Sequence, residues 1–283
     1  MAHRLKHVRL ALLPLALSGC IAEIEDPTTA DDEAVLDHVE ALGHSRDSAA
    51  IRGDHVIVDG DMRFNRGALL RGKYERAVEV GDFGELVDKG YRYPGIIAAK
   101  NRSNIRLLFA TGAYAPTKAI RDAFIAAAKS WSSIPGSSLR ISTDNTGPAI
   151  VVRTVPVARF EKYSGCVGTD ACADAPLDGR PGYEIFIRAE SIHEGCEKWA
   201  SSNLINVTRH ELGHALGFAH PKEKGSKLVG KTAGCAASVS RCVFEPGYST
   251  IMGAPDVGAK CSFTPARLTK DDYATTVATY PAQ

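Results

Sequence analysis

The chain has 283 residues, 44% of them apolar and 24% charged, with a formal net charge of +1. That composition suits one or two globular domains with a proper core, and it excludes disordered and fibrous chains. No basic stripe points to nucleic acid, and a balance near neutrality provides no strong field to steer a charged partner.

In chain order, MAHRLKHVR is a positive n-region and LALLPLAL a short apolar run, too short to cross a bilayer as a helix. LSGC follows at residues 17–20 and resembles the bacterial lipoprotein box. By that resemblance residues 1–20 are a signal, Cys20 is the lipid attachment, and the protein sits anchored on a membrane surface of the cell envelope. The alternative is an ordinary secretory signal, with the protein secreted; either way the chain is expected to be exported. Beyond Cys20 lie six cysteines, at 166, 172, 196, 235, 242 and 261. An even number in an exported chain implies disulfides. Six cysteines allow fifteen connectivities; Cys166–Cys172 and Cys235–Cys242 are near enough in sequence to close small loops, and Cys196–Cys261 is then one candidate for the long-range pair.

Residues 21–33 are acidic and poor in large apolar groups, so they read as a flexible tether. AVLDHVEAL (34–42) has helical apolar spacing, and HVIV (55–58) reads as a strand leading into DGDM. Residues 66–100 are glycine-punctuated and ambiguous, and no internal repeat is visible. His38, His44 and His55 carry no spacing signal.

After residue 100 the pattern sharpens. IRLLFATG (105–112) is a strand. Pro116 suits a helix start, and the following helix sets Ile120, Phe124, Ala127, Ala128 and Trp131 on one face until Pro135–Gly136 ends it. LRIST (139–143), AIVVRTV (149–155) and YEIFIRAE (183–190) are strands. A helix over about 203–217 and a last one near 268–279 complete the reading.

The stretch HELGHALGFAH (210–220) lies at the end of the first of these. His210 and His214 are four apart and stack on one helical face, so both imidazoles reach one ion. Gly217 can turn the chain left-handed and bring His220 back to the same point. Three neutral imidazoles with one open position form the ligand set of a catalytic zinc site. The bland alternative, a solvated helix with a few histidines, does not account for the apolar Leu204, Ile205, Val207, Leu212, Ala215 and Leu216 in the same stretch. His193 carries no companion ligand pattern and reads as a surface residue.

The full pattern H-E-x-x-H-x-x-G-x-x-H resembles the zinc signature of the metzincin metalloproteases. Their Met-turn has a counterpart in YSTIMGAP (248–255), which contains Met252. Pro221 resembles serralysins, whereas Ala254 stands where serralysins and astacins usually carry a tyrosine. The upstream segment is more similar to matrixins, so a bacterial matrixin-like metzincin, of the protease B kind, is expected. The resemblance covers roughly residues 100–283 and implies an α+β catalytic domain over 101–283. That domain has a mixed sheet, a long backing helix, a zinc-binding helix and an irregular, disulfide-stapled C-terminal subdomain.

The resemblance further implies a zinc endopeptidase in which His210, His214 and His220 hold one Zn²⁺ and Glu211 is the general base, with Met252 beneath the site. Calcium is a further candidate cofactor, in a structural role. A polypeptide substrate would bind by edge pairing to an upper-rim strand within 149–160, and the protein is expected to be a monomer. Residues 34–100 are too long for a linker and read as a pro-region. Within them VDGD (58–61) is similar to the F-x-G-D motif of astacin pro-segments, whose aspartate binds the zinc. That makes Asp61 the candidate latency ligand; an ordinary Gly–Asp turn is the alternative. The lysines and arginine of the loop 221–247 are read as a solvated face before an acidic-substrate pocket. Two other functions stand beside the protease: a catalytically silent surface binding lipoprotein on the same scaffold, and an amidase acting on cell-wall peptides.

Overall fold

The computed structural model describes residues 30–74, 78–80, 90–92, 97–189, 201–220, 251–252, 267–268 and 270–282. Among these, no helix is long and apolar enough to cross a membrane. Cys20, His193, the basic loop 221–247 and the cysteines at 196, 235, 242 and 261 lie outside the described residues.

The chain begins with helix α1 (Ala30–Ala41), then strands β1 (Ala49–Arg52), β2 (His55–Val58) and β3 (Met62–Asn65) and the short helix α2 (Arg66–Leu70). Helix α1 therefore starts inside the stretch read as a tether, and Asp32 pairs with Arg66. Valines 35 and 39, with Leu42, bury its inner face. Strands β4 (Val78–Val80) and β5 (Gly90–Arg92) and helix α3 (Ala99–Arg102) follow.

The next part alternates strand and helix: β6 (Ile105–Phe109), α4 (Lys118–Ser132), β7 (Ile141–Ser142), β8 (Ala149–Val155), α5 (Val157–Ser164), β9 (Ala171–Asp174) and β10 (Glu184–Arg188). Helix α6 (Ser201–Ala215), strand β11 (Phe218–Ala219) and helix α7 (Lys270–Thr279) close the described chain.

Eight strands form one mixed sheet in the order β1-β2-β3-β9-β10-β8-β6-β7, and β11, β5 and β4 form a second. Strand β8 runs parallel to both its neighbours, β6 and β10. A strand buried on both faces reads as an apolar run rather than an alternating one, and AIVV at the start of β8 does so before Arg153 and Thr154. The expectation of a substrate-binding edge within 149–160 is therefore corrected: β8 is interior, with both edges spent on pairing. Strand β9 pairs antiparallel with β10, and β3 covers its other edge in parallel register, Met62 opposite Ala173 and Arg63 opposite Asp174.

Helix α4 starts where Thr117 accepts a hydrogen bond from Ile120 N–H at 3.3 Å. Its buried face is Ile120, Ala123, Phe124, Ala127, Ala128 and Trp131. That face lies against the sheet and against α6, and the indole N–H of Trp131 donates to Arg209 O at 3.1 Å. One core fills this layer and runs without a break into Val56, Val58, Met62 and Phe64 of the N-terminal hairpin. The other sheet face carries a smaller cluster of Ile57, Val155, Phe160, Cys166, Cys172 and Phe186. There the Cys166–Cys172 disulfide ties the end of α5 to β9, the pairing expected from their spacing.

Candidate metal centre

Helix α6 brings His210 and His214 onto one buried face, at 1% exposure each. The helix ends at Ala215, and Gly217 takes φ of +96°, a left-handed turn that a residue with a Cβ enters only at a cost. Strand β11 then returns His220 to the same point.

The three Nε2 atoms form a triangle: 2.9 Å from His214 to His210, 3.1 Å from His214 to His220 and 3.1 Å from His220 to His210. Two Nδ1 atoms face backbone carbonyls, His210 toward Ile251 O and His214 toward Phe218 O, both at 2.9 Å. A carbonyl only accepts, so each Nδ1 carries the hydrogen and each Nε2 presents a lone pair. Lone pairs set nose to nose in a buried space repel unless a cation lies between them. Tetrahedral zinc with Zn–N distances of about 2.0–2.1 Å needs nitrogens about 3.3 Å apart, close to the observed triangle. The donor set fits the metal.

A fourth donor comes from far away in sequence. Asp61 Oδ2 lies 3.3 Å from Nε2 of both His210 and His220, and Asp61 Oδ1 lies 3.6 Å from His214 Nε2. Asp61 and the three histidines have ligand atoms all within 4.8 Å of one another. The β2–β3 turn delivers this carboxylate: Asp59 at φ +53° and Gly60 at φ +90° reverse the chain and leave Asp61 at its exit. Burial by itself would raise the Asp61 carboxyl, but the imidazoles of His220, His214 and His210 bring it well below the usual carboxylate range. The Oδ1 atom is buried without a hydrogen-bond partner.

Glu211 lies next to His210 on α6, 3% exposed, and its Oε2 has no hydrogen-bond partner. Burial, and then the Asp61 charge, raise its carboxyl well above the usual value. Burial pushes the His214 imidazole down to about 4, which keeps it neutral and fit to ligate. His220 is also penalised by burial, but Asp61 outweighs this and raises it.

Met252 is 4% exposed and packs under α6: a Cβ on Gly213 would stand 2.3 Å from its Sδ. Its neighbour Ile251 supplies the carbonyl that orients His210, and Ile251 N–H donates to the Asp272 carboxylate of α7 at 3.0 and 3.1 Å. Tyr280 Oη donates to Leu216 O and holds the turn that carries Gly217. His44 Nδ1 lies 2.9 Å from Asp59 Oδ2, bracing the turn before Asp61. Sequence reasoning missed Gly213, Asp59, His44, Asp272 and Tyr280. None belongs to a spacing pattern with the histidines; only the crowding of H-E-L-G-H around Gly213 hinted that something must approach closely there.

No protein-family model matches the chain. Among solved structures it is similar to myroilysin, at 12% identity and a TM-score of 0.37, over 66% of this chain and 98% of that one. It is also similar to high choriolytic enzyme 1, a hatching-enzyme zinc protease of the medaka fish Oryzias latipes. There the identity is 14% and the TM-score 0.35, over 65% of this chain and 92% of that one.

Proposed function

We propose that the chain is an exported, metzincin-like zinc endopeptidase made as a latent precursor, with residues 34–100 as the pro-region and Asp61 as the latency ligand. One observation supports this above all others: three imidazoles and one carboxylate, from positions 210–220 and 61, converge their donor atoms on one buried point.

Zinc in that position would polarise a scissile carbonyl and lower the pKa of water toward about 7. His210, His214 and His220 would hold it through Nε2, the first two oriented from behind by the carbonyls of Ile251 and Phe218. Asp61 fills the remaining position and keeps water out, so the resting protein lacks its nucleophile. Once Asp61 withdraws, Glu211 Oε2 has no competing partner. It takes the proton from water and returns it to the departing amine. The lipid anchor at Cys20 and the polypeptide substrate belong to the same proposal.

The test uses residues 21–283 expressed under oxidising conditions. Wild type, Glu211→Ala and Asp61→Ala are incubated with a denatured protein, and the fragments are read by mass spectrometry. Asp61→Ala is expected to cleave at once and wild type only after processing. Glu211→Ala is expected to retain zinc and lose turnover by roughly 10²–10⁴-fold. A zinc-loaded Asp61→Ala protein that cuts nothing overturns the proposal in favour of a silent binding lipoprotein. Cleavage confined to cell-wall peptides shifts it to an amidase.

A further inference from the structure

Arg63 is 4% exposed, although an arginine is seldom buried so far without a dedicated partner. It lies on β3, two residues beyond Asp61, on the sheet face opposite Met62 and Phe64. Ile57 of β2 lies opposite it and the His55 imidazole feels its charge, but the carboxylates and the aromatic ring around it come from β9 and β10. Its Nη1 is 3.1 Å from Asp174 Oδ1 on β9 and 3.9 Å from Glu184 Oε2 on β10, and its guanidinium lies 4.4 Å over the ring of Phe186. Two carboxylates and an aromatic floor are what a cationic side chain is recognised by. Charge and the aromatic ring hold the guanidinium: Nη1 is paired with Asp174, while Nε is buried without a hydrogen-bond partner.

The backbone says the same of this edge. Ala173 N–H donates to Asp61 O at 2.9 Å and Ala175 N–H donates to Arg63 O at 2.8 Å. The amide of Ala173 on β9 and that of Ala175 just past its end are therefore spent on Asp61 and Arg63. Arg153 donates to Glu184 and balances one of the two negative charges, so without Arg63 the pocket keeps one. Burial pushes the Asp174 carboxyl up to about 6 even with Arg63 beside it, so the pocket gains by holding a cation.

We propose that Asp174, Glu184 and Phe186 form a substrate pocket for an arginine or lysine side chain, which Arg63 fills while β3 remains docked on β9. The proposal rests on the protease reading and deepens it: the substrates are polypeptides with a basic residue at one fixed position beside the scissile bond. That position is two residues from the one that occupies the metal centre.

Two experiments test it. In the first, the full chain carrying Arg63→Ala is titrated with ethylguanidinium at millimolar concentration and its thermal unfolding is followed. A saturable rise in Tm is expected, absent from wild type and from the Arg63→Ala/Asp174→Asn/Glu184→Gln protein. No rise overturns the pocket. In the second, the cut sites of the Asp61→Ala/Arg63→Ala protein and its Asp174→Asn/Glu184→Gln derivative on a denatured protein are mapped. A basic residue is expected to be enriched about tenfold or more at one position by the former and not by the latter. Abundant cleavage without that enrichment, together with ethylguanidinium binding, would make Arg63 an anchor of the N-terminal hairpin and overturn the substrate role. If nothing is cut by any form, the protease reading fails and takes the substrate role with it. The first experiment still decides whether the pocket holds a guanidinium.

Discussion

His210 and His214 each give one ring nitrogen to a backbone carbonyl, and the remaining nitrogens meet Nε2 of His220 at a common point. Proton placement on individual atoms, more than the count of histidines, is what fits this cluster to hold a metal ion. Packing directly below it is as tight. Gly213 lies between the two ligands on α6, and a methyl there would meet Met252 Sδ at 2.3 Å and Trp131 Cζ2 at 3.2 Å. An alanine would gain about 1 kcal/mol of helix propensity over glycine, whereas overpacking costs about 1–3 kcal/mol. Packing wins, so Gly213→Ala is expected to lower stability by up to about 2 kcal/mol. Adding Met252→Ala should recover part of the loss. A double-mutant cycle by chemical denaturation measures it, and strictly additive effects would refute the contact.

Two elements do most to set the geometry. The first is the end of α6, where the turn through Gly217 at φ +96° aims β11 and His220 back at the helix. Gly217→Ala places a Cβ in the left-handed region, at a cost of about 1–2 kcal/mol. Because the strain falls between the second and third ligands, zinc affinity should drop by about tenfold or more. Competition with a chromophoric chelator reads it; unchanged affinity would show that the turn does not position His220. The second element is β9. Its four residues carry no alternation, which is why nothing in ACAD announces a strand. Only its neighbours make it one, with β10 on one side and β3 on the other. Strand β8, the expected rim, has the stronger strand pattern because it is buried in the middle of the sheet.

At the scale of the molecule, the site joins parts that are far apart in sequence: Asp61 from the β2–β3 turn, the histidines from α6 and β11, and Ile251 braced by Asp272 on α7. A ligand that binds only this assembled state stabilises it by mass action, about 4 kcal/mol at a thousandfold excess over Kd. Stripping the metal with a chelator should therefore lower Tm by on the order of 10 °C, and zinc should restore it. Asp61→Ala should shrink that shift by removing the donor that links the hairpin to the histidines. A Tm indifferent to chelator, followed by differential scanning calorimetry, would show that the centre holds no ion.

Much of this was legible in the chain itself. Histidine spacing, the glycine after it and the apolar stripes of α4 and α6 are local regularities, set by 3.6 residues per turn and by which residues tolerate a left-handed turn. They place the ligands on one helix end and put Trp131 and Phe124 inward without reference to the rest of the fold. The 34–42 helix, the 55–58 strand and the Cys166–Cys172 pair follow from equally short-range patterns. What only the tertiary structure decided are relations between segments with no common period. Asp61 is a candidate from the likeness of VDGD to a zinc-binding motif, but nothing of that kind announces that Arg63 lies between Asp174 and Glu184 or that β3 is spent on the edge of β9. Such pairings depend on how strands order themselves across a sheet and on desolvation of charges at contact, and neither leaves a trace in the spacing of residues along the chain.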